Sequence, residues 1–157
     1  MVGVRSKEFV YKNSIKWEGE RKGMVSSDNK PSFKVATPPE FKGHPGIWSP
    51  EDLFVASVNT CIMTTFLHYA ENHKLEFISY KSEAEGILEM VENKFMFSEI
   101  KIKPLLVIKQ DSDIHKAKKL IAISVIIAIN VYIFAPILQL NKKQNLKKKL
   151  LFQIERI

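Results

Sequence analysis

Residues 49–72 read SPEDLFVASVNTCIMTTFLHYAEN, and the rest of the chain is organised around them. Ser49 carries the short hydroxyl that caps a helix N-terminus. Pro50 suits the first helical position, where a missing N–H costs nothing, and Asp52 stands where a capping box places its acid. From Glu51 to Asn72 there is neither proline nor glycine. Phe54, Val58, Cys61 or Ile62, Thr65 and Tyr69 recur every three to four residues, the spacing of one buried helical face. The pattern predicts a helix over 50–72 that ends near Asn72 and His73. Alanine and threonine keep parts of that face small, so a neighbour is expected to pack closely there.

Upstream, the sequence reads as short strands and turns. Phe9 and Tyr11, then Ile15 and Trp17, alternate with polar neighbours, as half-buried strands do. Residues 18–23, EGERKG, read as a polar turn with two glycines, and Asp28 to Pro31 as another. Phe33 to Val35 predicts a brief strand. Between Thr37 and Ser49 lie Pro38, Pro39, Pro45, Gly43 and Gly46, which is a loop composition. Downstream, residues 77–109 predict two long strands. Ile78, Tyr80, Ser82 and Ala84 alternate with Lys81, Glu83 and Glu85; Gly86 marks a bend or bulge, and Pro104 an edge strand or a bulge. Asp111 or Ser112 is placed to cap a second helix starting near Asp113.

From Ile121 to Leu140 the sequence, IAISVIIAINVYIFAPILQL, has no charged residue. A membrane span needs about twenty apolar residues, and lysines flank this run on both sides. Ser124, Asn130, Pro136 and Gln139 interrupt it, and the preceding sheet patterns need a helix to cover them. A buried helix leading into a strand is therefore the plainer expectation, and no membrane association is expected.

Charge is unevenly distributed. The chain carries +7, of which residues 141–157 supply +5 through six basic side chains against Glu155. Such a tail can touch nucleic acid or lipid headgroups. The body has no basic stripe interleaved with aromatics and no zinc-finger spacing, so no nucleic-acid partner is expected. The single cysteine excludes an intrachain disulfide scaffold. The first residues, MVGVRSKEFV, lack an apolar signal core, which makes the cytoplasm the expected location. No two of the four histidines have tight ligand spacing with Cys61, so no metal and no cofactor is expected.

Cys61 is either a small apolar filler or a nucleophile. It lies twelve residues past Ser49, roughly 18 Å along the axis, beyond the reach of its own helix dipole. A reactive thiol there needs a cation from another segment. Arg21, in the glycine-flanked turn, is the candidate, with Glu51 at the helix start placed to hold its guanidinium. His68, two turns past Cys61, is expected to be neutral and partly buried. His44 and His73 are expected at solvent-facing loop positions.

The stretches WEGERKGMVSSDNKPSFKV and PPEFKGHPGIWSPEDLFVASVNTCIMTTFLHYAENHKLEF, then ISYKSEAEGILEM and FMFSEIKIKPLLVI, together resemble the osmotically inducible protein and organic hydroperoxide resistance family (OsmC/Ohr). The features that match come in order: an arginine after a strand, a glycine-rich loop, a Pro-Glu-Asp-Leu helix start, and a cysteine ten residues after the glutamate. The similarity covers about residues 8–120. It implies one α+β OsmC-like domain over residues 1–157, with curved antiparallel sheets packed around two central helices in an intertwined homodimer. It implies thiol-dependent reduction of organic hydroperoxides, with Cys61 as the attacking cysteine and Arg21 and Glu51 as its supports. The family's second cysteine should fall between Ser124 and Phe134, where this chain reads SVIIAINVYIF, so 121–157 is an atypical C-terminal segment. A cycle on Cys61 would then need an external thiol or dithiol as reductant. The alternative is a non-catalytic small-molecule binding or structural protein that keeps the fold.

Overall fold

A computed structural model describes residues 8–129 of the chain. Residues up to Leu53 gather into one compact unit and those from Phe54 onward into another. In the first, β1 (Ser14–Trp17), β2 (Lys22–Ser26) and β3 (Phe33–Ala36) form an antiparallel sheet in that order. Ile15 stands opposite Val25, and Val25 opposite Phe33, so these branched and aromatic side chains share one face. The turn between β1 and β2 closes with Glu18 N–H donating to the Lys22 carbonyl at 3.0 Å and Lys22 N–H to that of Gly19 at 3.1 Å.

Two local expectations shift. The polar turn stops at Arg21, because Lys22 and Gly23 already pair with Ala36 and Val35. Phe9 and Tyr11 lie ahead of the first strand. The proline-rich stretch is the loop its composition predicts. It contains one short 3₁₀ turn, Pro39–Phe41, and it returns to the sheet through Ala36 N–H, which donates to the Trp48 carbonyl at 3.0 Å. Gly43 is sterically required there, since a Cβ would overlap the Thr37 carbonyl oxygen.

Helix α1 spans Pro50–Asn72, as the cap signals predict. Ser49 Oγ accepts the Asp52 N–H at 3.1 Å, and Asp52 Oδ2 accepts the Ser49 N–H at 2.9 Å, a reciprocal capping box. Its buried stripe is Val58, Ile62, Phe66 and Ala70, four residues apart throughout. The choice between Cys61 and Ile62 therefore falls to Ile62, and Cys61 lies on the flank. By length and composition α1 could cross a bilayer. Its apolar stripe is instead committed to the core of the second unit.

That unit holds β4 (Phe77–Val91) and β5 (Lys94–Ile108), paired as one antiparallel hairpin, followed by α2 (Ile114–Ile129). Glu92 and Asn93 close the hairpin with φ of 49° and 62°, the left-handed pair that a tight two-residue turn uses. Both helices pack on one face of the hairpin. Val58 and Ile62 of α1 meet Ile100 and Ile102 of β5 and Val125 and Ala128 of α2. Phe66, Ala70 and Leu75 meet Ala117, Leu120 and Ile121. At Gly86 helix and strand are in close contact: a Cβ there would lie 2.5 Å from Val55 Cγ2 and 2.7 Å from Phe97 Cε1. The expected bulge sits beside it, between Ile87 and Leu88. Pro104 is tolerated opposite Ser82 because every strand of a two-stranded sheet has a free edge.

The α+β class holds, but the expected arrangement is corrected. The sheets are two separate open ones, of three and two strands, not curved sheets wrapped around two central helices. The pairing expected of an intertwined homodimer is also not what joins these strands: each described strand finds its hydrogen-bond partner in its own chain. Short turns cause this, because they let each strand pair with its sequence neighbour. Of the uncharged run from 121 to 140, the part up to Ile129 is helical, with Ile121, Ser124, Val125 and Ala128 buried. Residues 130–157, including the basic tail, lie outside the described residues.

Candidate functional site

Cys61 sits in the fourth turn of α1, half-buried, packed against the cluster of Val58, Ile62, Ile100, Ile102, Val125 and Ala128. Its Sγ lies 3.9 Å from Thr65 Oγ1, one helical turn on. The thiol is thus neither sealed in the core nor fully in water, the partly exposed setting that reactive cysteines occupy.

Arg21 ends the turn that follows β1. Its backbone carbonyl accepts the Thr37 N–H at 3.0 Å, and its guanidinium Nη1 donates to the Phe41 carbonyl at 3.1 Å. The neighbouring Glu20 carboxylate meets Lys22 Nζ at 2.7 Å and His44 Nε2 at 3.2 Å. Lys22, by hydrogen bond and charge, and then His44 hold the Glu20 carboxyl below its usual value. The turn bearing Arg21 is therefore fastened to the proline-rich loop at several points. His44 takes part in this fastening, which solvent-facing placement alone does not convey.

Glu51 occupies the first turn of α1, where the positive end of the helix dipole favours an acid. Its Oε2 is shielded from solvent and has no hydrogen-bond partner among the described residues. No ion pair joins Arg21 to Glu51 among the described residues; the Phe41 carbonyl takes the guanidinium donor instead. Glu51 and Cys61 share α1, ten residues or about 15 Å of helical rise apart.

His68 is exposed, which corrects the expectation of partial burial. Its Nε2 accepts the Asn72 amide at 2.9 Å, and its ring meets the edge of Tyr69. His73 is also exposed, beside the same tyrosine. No cluster of histidine, cysteine and carboxylates suited to a metal ion occurs among the described residues.

Two polar features escape periodicity. Ser82 Oγ of β4 donates to Asn59 Oδ1 of α1 at 2.6 Å, a cross-link between helix and hairpin. Beside it the Tyr80 hydroxyl is shielded and lacks a hydrogen-bond partner among the described residues. Burial pushes the Tyr80 phenol up; the Ser82 hydroxyl, already committed to Asn59, pulls it back only in part. Thr65 counted only as a stripe residue in the sequence, although its i+4 spacing from Cys61 is a readable signal of contact.

With the fold and these side chains in place, the family is plain. The chain belongs to the OsmC-like protein family, whose model matches residues 43–125. It is 28% identical to YmaD of Bacillus subtilis, itself uncharacterised, over 109 residues, which are 66% of this chain and 72% of that one. Among solved structures it resembles an OsmC-like protein of unknown function from Vibrio cholerae, with a TM-score of 0.72, 17% identity, and coverage of 94% of this chain and 100% of that one. An organic hydroperoxide resistance protein OsmC from Legionella pneumophila aligns at TM-score 0.63 and 22% identity, over 94% of this chain and 100% of that one. An organic hydroperoxide resistance protein from Elizabethkingia anophelis gives 0.60 and 23%, over 95% and 100%. At these identities the structures establish a common fold.

Proposed function

We propose that this protein is a cytoplasmic, thiol-dependent peroxidase that reduces organic hydroperoxides through Cys61 alone. The observation that carries the reading is the half-buried Cys61 on α1 of an OsmC-like chain, two of whose structural relatives are named organic hydroperoxide resistance proteins. In the first step the Cys61 thiolate attacks the terminal oxygen of the hydroperoxide. The O–O bond breaks, an S–O bond forms, and the alkoxide takes a proton to leave as the alcohol. Cysteine is oxidised to sulfenic acid. With no second cysteine in the sequence, an external thiol then condenses with the sulfenic acid, releasing water and leaving a mixed disulfide. A second thiol displaces it and restores Cys61. Arg21 is assigned the role of favouring the thiolate and polarising the peroxide, and Glu51 that of orienting the guanidinium.

One observation favours a second reading, a non-catalytic binding or structural protein that retains the fold. The Arg21 guanidinium donates to the Phe41 carbonyl and makes no ion pair with Glu51. A single experiment separates the two. Reduced protein is mixed with an organic hydroperoxide and its intact mass is followed. Peroxidase chemistry gives rapid gain of one oxygen, abolished in Cys61→Ala and slowed in Arg21→Ala. If the wild-type thiol reacts no faster than a free model thiol, the catalytic reading fails.

A further inference from the structure

We propose that Thr65 is a hydrogen-bond donor to the Cys61 thiolate, and so a further residue of the reacting centre. The inference rests on the reading of Cys61 as the reacting group. A threonine inside a helix ordinarily returns its hydroxyl to the carbonyl three or four residues back. Three helical hydroxyls of this chain do so: Ser57 to Phe54 at 2.7 Å, Thr64 to Thr60 at 3.0 Å, and Ser124 to Leu120 at 2.7 Å. Thr65 departs from them. The Cys61 carbonyl that it would use also receives Thr64 Oγ1 at 3.1 Å, and the Thr65 hydroxyl turns to Sγ at 3.9 Å.

The chemistry gives this contact a direction. A neutral thiol is a weak donor and a weak acceptor, so the pair gains little while the sulfur is protonated. Once the sulfur carries charge, only Thr65 can donate, and a hydrogen bond to an ionised acceptor is roughly twice as strong as a neutral one. Both residues are half-buried, where less water competes for the sulfur. The hydroxyl therefore favours the thiolate over the thiol. Unlike Arg21, it is supplied by α1 itself, one turn from the sulfur.

The test is the rate of Cys61 alkylation by iodoacetamide as a function of pH, in wild type, Thr65→Val, Thr65→Ala, Thr65→Ser and Thr64→Val. Losing the hydroxyl should slow alkylation near neutral pH by about threefold to tenfold, the range expected for a long charge-assisted bond. At strongly alkaline pH, where the sulfur is ionised in every variant, the rates should converge. Thr65→Ser should restore the wild-type curve, and Thr64→Val should leave it unchanged. Two alanine-sized or valine-sized replacements guard against one variant failing to fold. Superimposable curves, or slowing by the same factor at every pH, overturn the proposal, because the second pattern reports altered access only. Alkylation involves no peroxide. A clear Thr65 effect beside an unreactive wild type in the hydroperoxide experiment would leave this bond standing and remove the peroxidase reading.

Discussion

Replacing Gly86 with alanine tests the close packing of α1 on the hairpin. The new methyl would lie 2.5 Å from Val55 Cγ2, 2.7 Å from Phe97 Cε1 and 3.1 Å from Phe97 Cδ1. Carbon atoms at rest against each other stand about 3.5–4.0 Å apart, so both neighbours must retreat by roughly an ångström. Neither does so freely. Val55 is β-branched and nearly fixed in rotamer on a helix, and the Phe97 ring is backed by Phe54 with ring centroids 4.8 Å apart. Overpacking of this kind costs about 1–3 kcal/mol. Alanine recovers about 0.5–1 kcal/mol of the backbone entropy that glycine loses on folding. The net expectation is destabilisation of about 1–2 kcal/mol, read as a lower urea midpoint with unchanged slope by far-UV circular dichroism. Hydrogen exchange should show faster opening of β4 and β5 amides. Adding Val55→Ala should return part of the loss, because it clears one of the two obstructions. A Gly86→Ala protein as stable as wild type would refute the reasoning and mean that helix and strand separate easily.

Ser49→Ala should lower stability by about 1 kcal/mol, since the Asp52 N–H loses its capping acceptor while Asp52 keeps its own bond to residue 49; equal urea midpoints would show that the box contributes nothing. Tyr80→Phe should be neutral or stabilising by up to about 1 kcal/mol, because it removes a shielded hydroxyl without a partner among the described residues. The same residue sets an alkaline dependence. Burial raises the Tyr80 phenol in the folded state, so stability is full below the ordinary phenol range near about 10 and falls as pH rises above it. There the unfolded chain ionises first, and the fall ends once the folded phenol also titrates. Thermal unfolding across that range should show a shallower decline in Tyr80→Phe; identical slopes would mean the phenol is no more shielded folded than unfolded.

The parts of this molecule that were legible in its sequence are those fixed by local chemistry. Helix α1 is the clearest: a hydroxyl cap, a first-position proline and an acid three residues on gave its start, and the absence of breakers gave its length. The two long strands were visible in their alternation, and Gly86 and Pro104 carried their irregularities. Strand β2 was hidden, since Lys22 and Gly23 extend a polar run whose pairing partners lie in β3. The sheet arrangement is not legible in the sequence for a related reason: alternation says that a segment is a strand, and the turns decide what it pairs with. Within the site, Cys61 and Glu51 could be placed on α1 because helical rise is fixed. The setting of Arg21 could not be read, because it depends on the Phe41 carbonyl, twenty residues away and presented by a loop. The exposure of His68 likewise follows from which face of α1 the hairpin covers, and periodicity left that face ambiguous by one residue.

The two-residue turn at Glu92 and Asn93 also bears on how the chain reaches its fold. It holds Val91 beside Lys94, and pairing can then advance residue by residue to Phe77 and Ile108. Each new pair closes only a slightly larger loop than the last, so the entropy of ordering is met in small increments. Hairpins closed by such turns form in about 1–10 μs, well ahead of steps that join distant segments. The hairpin is thus the natural template in folding: its apolar face exists before α1 and α2 need a surface to settle on. A longer or glycine-rich connection at this turn would leave the final contacts intact on paper and delay the surface on which they assemble.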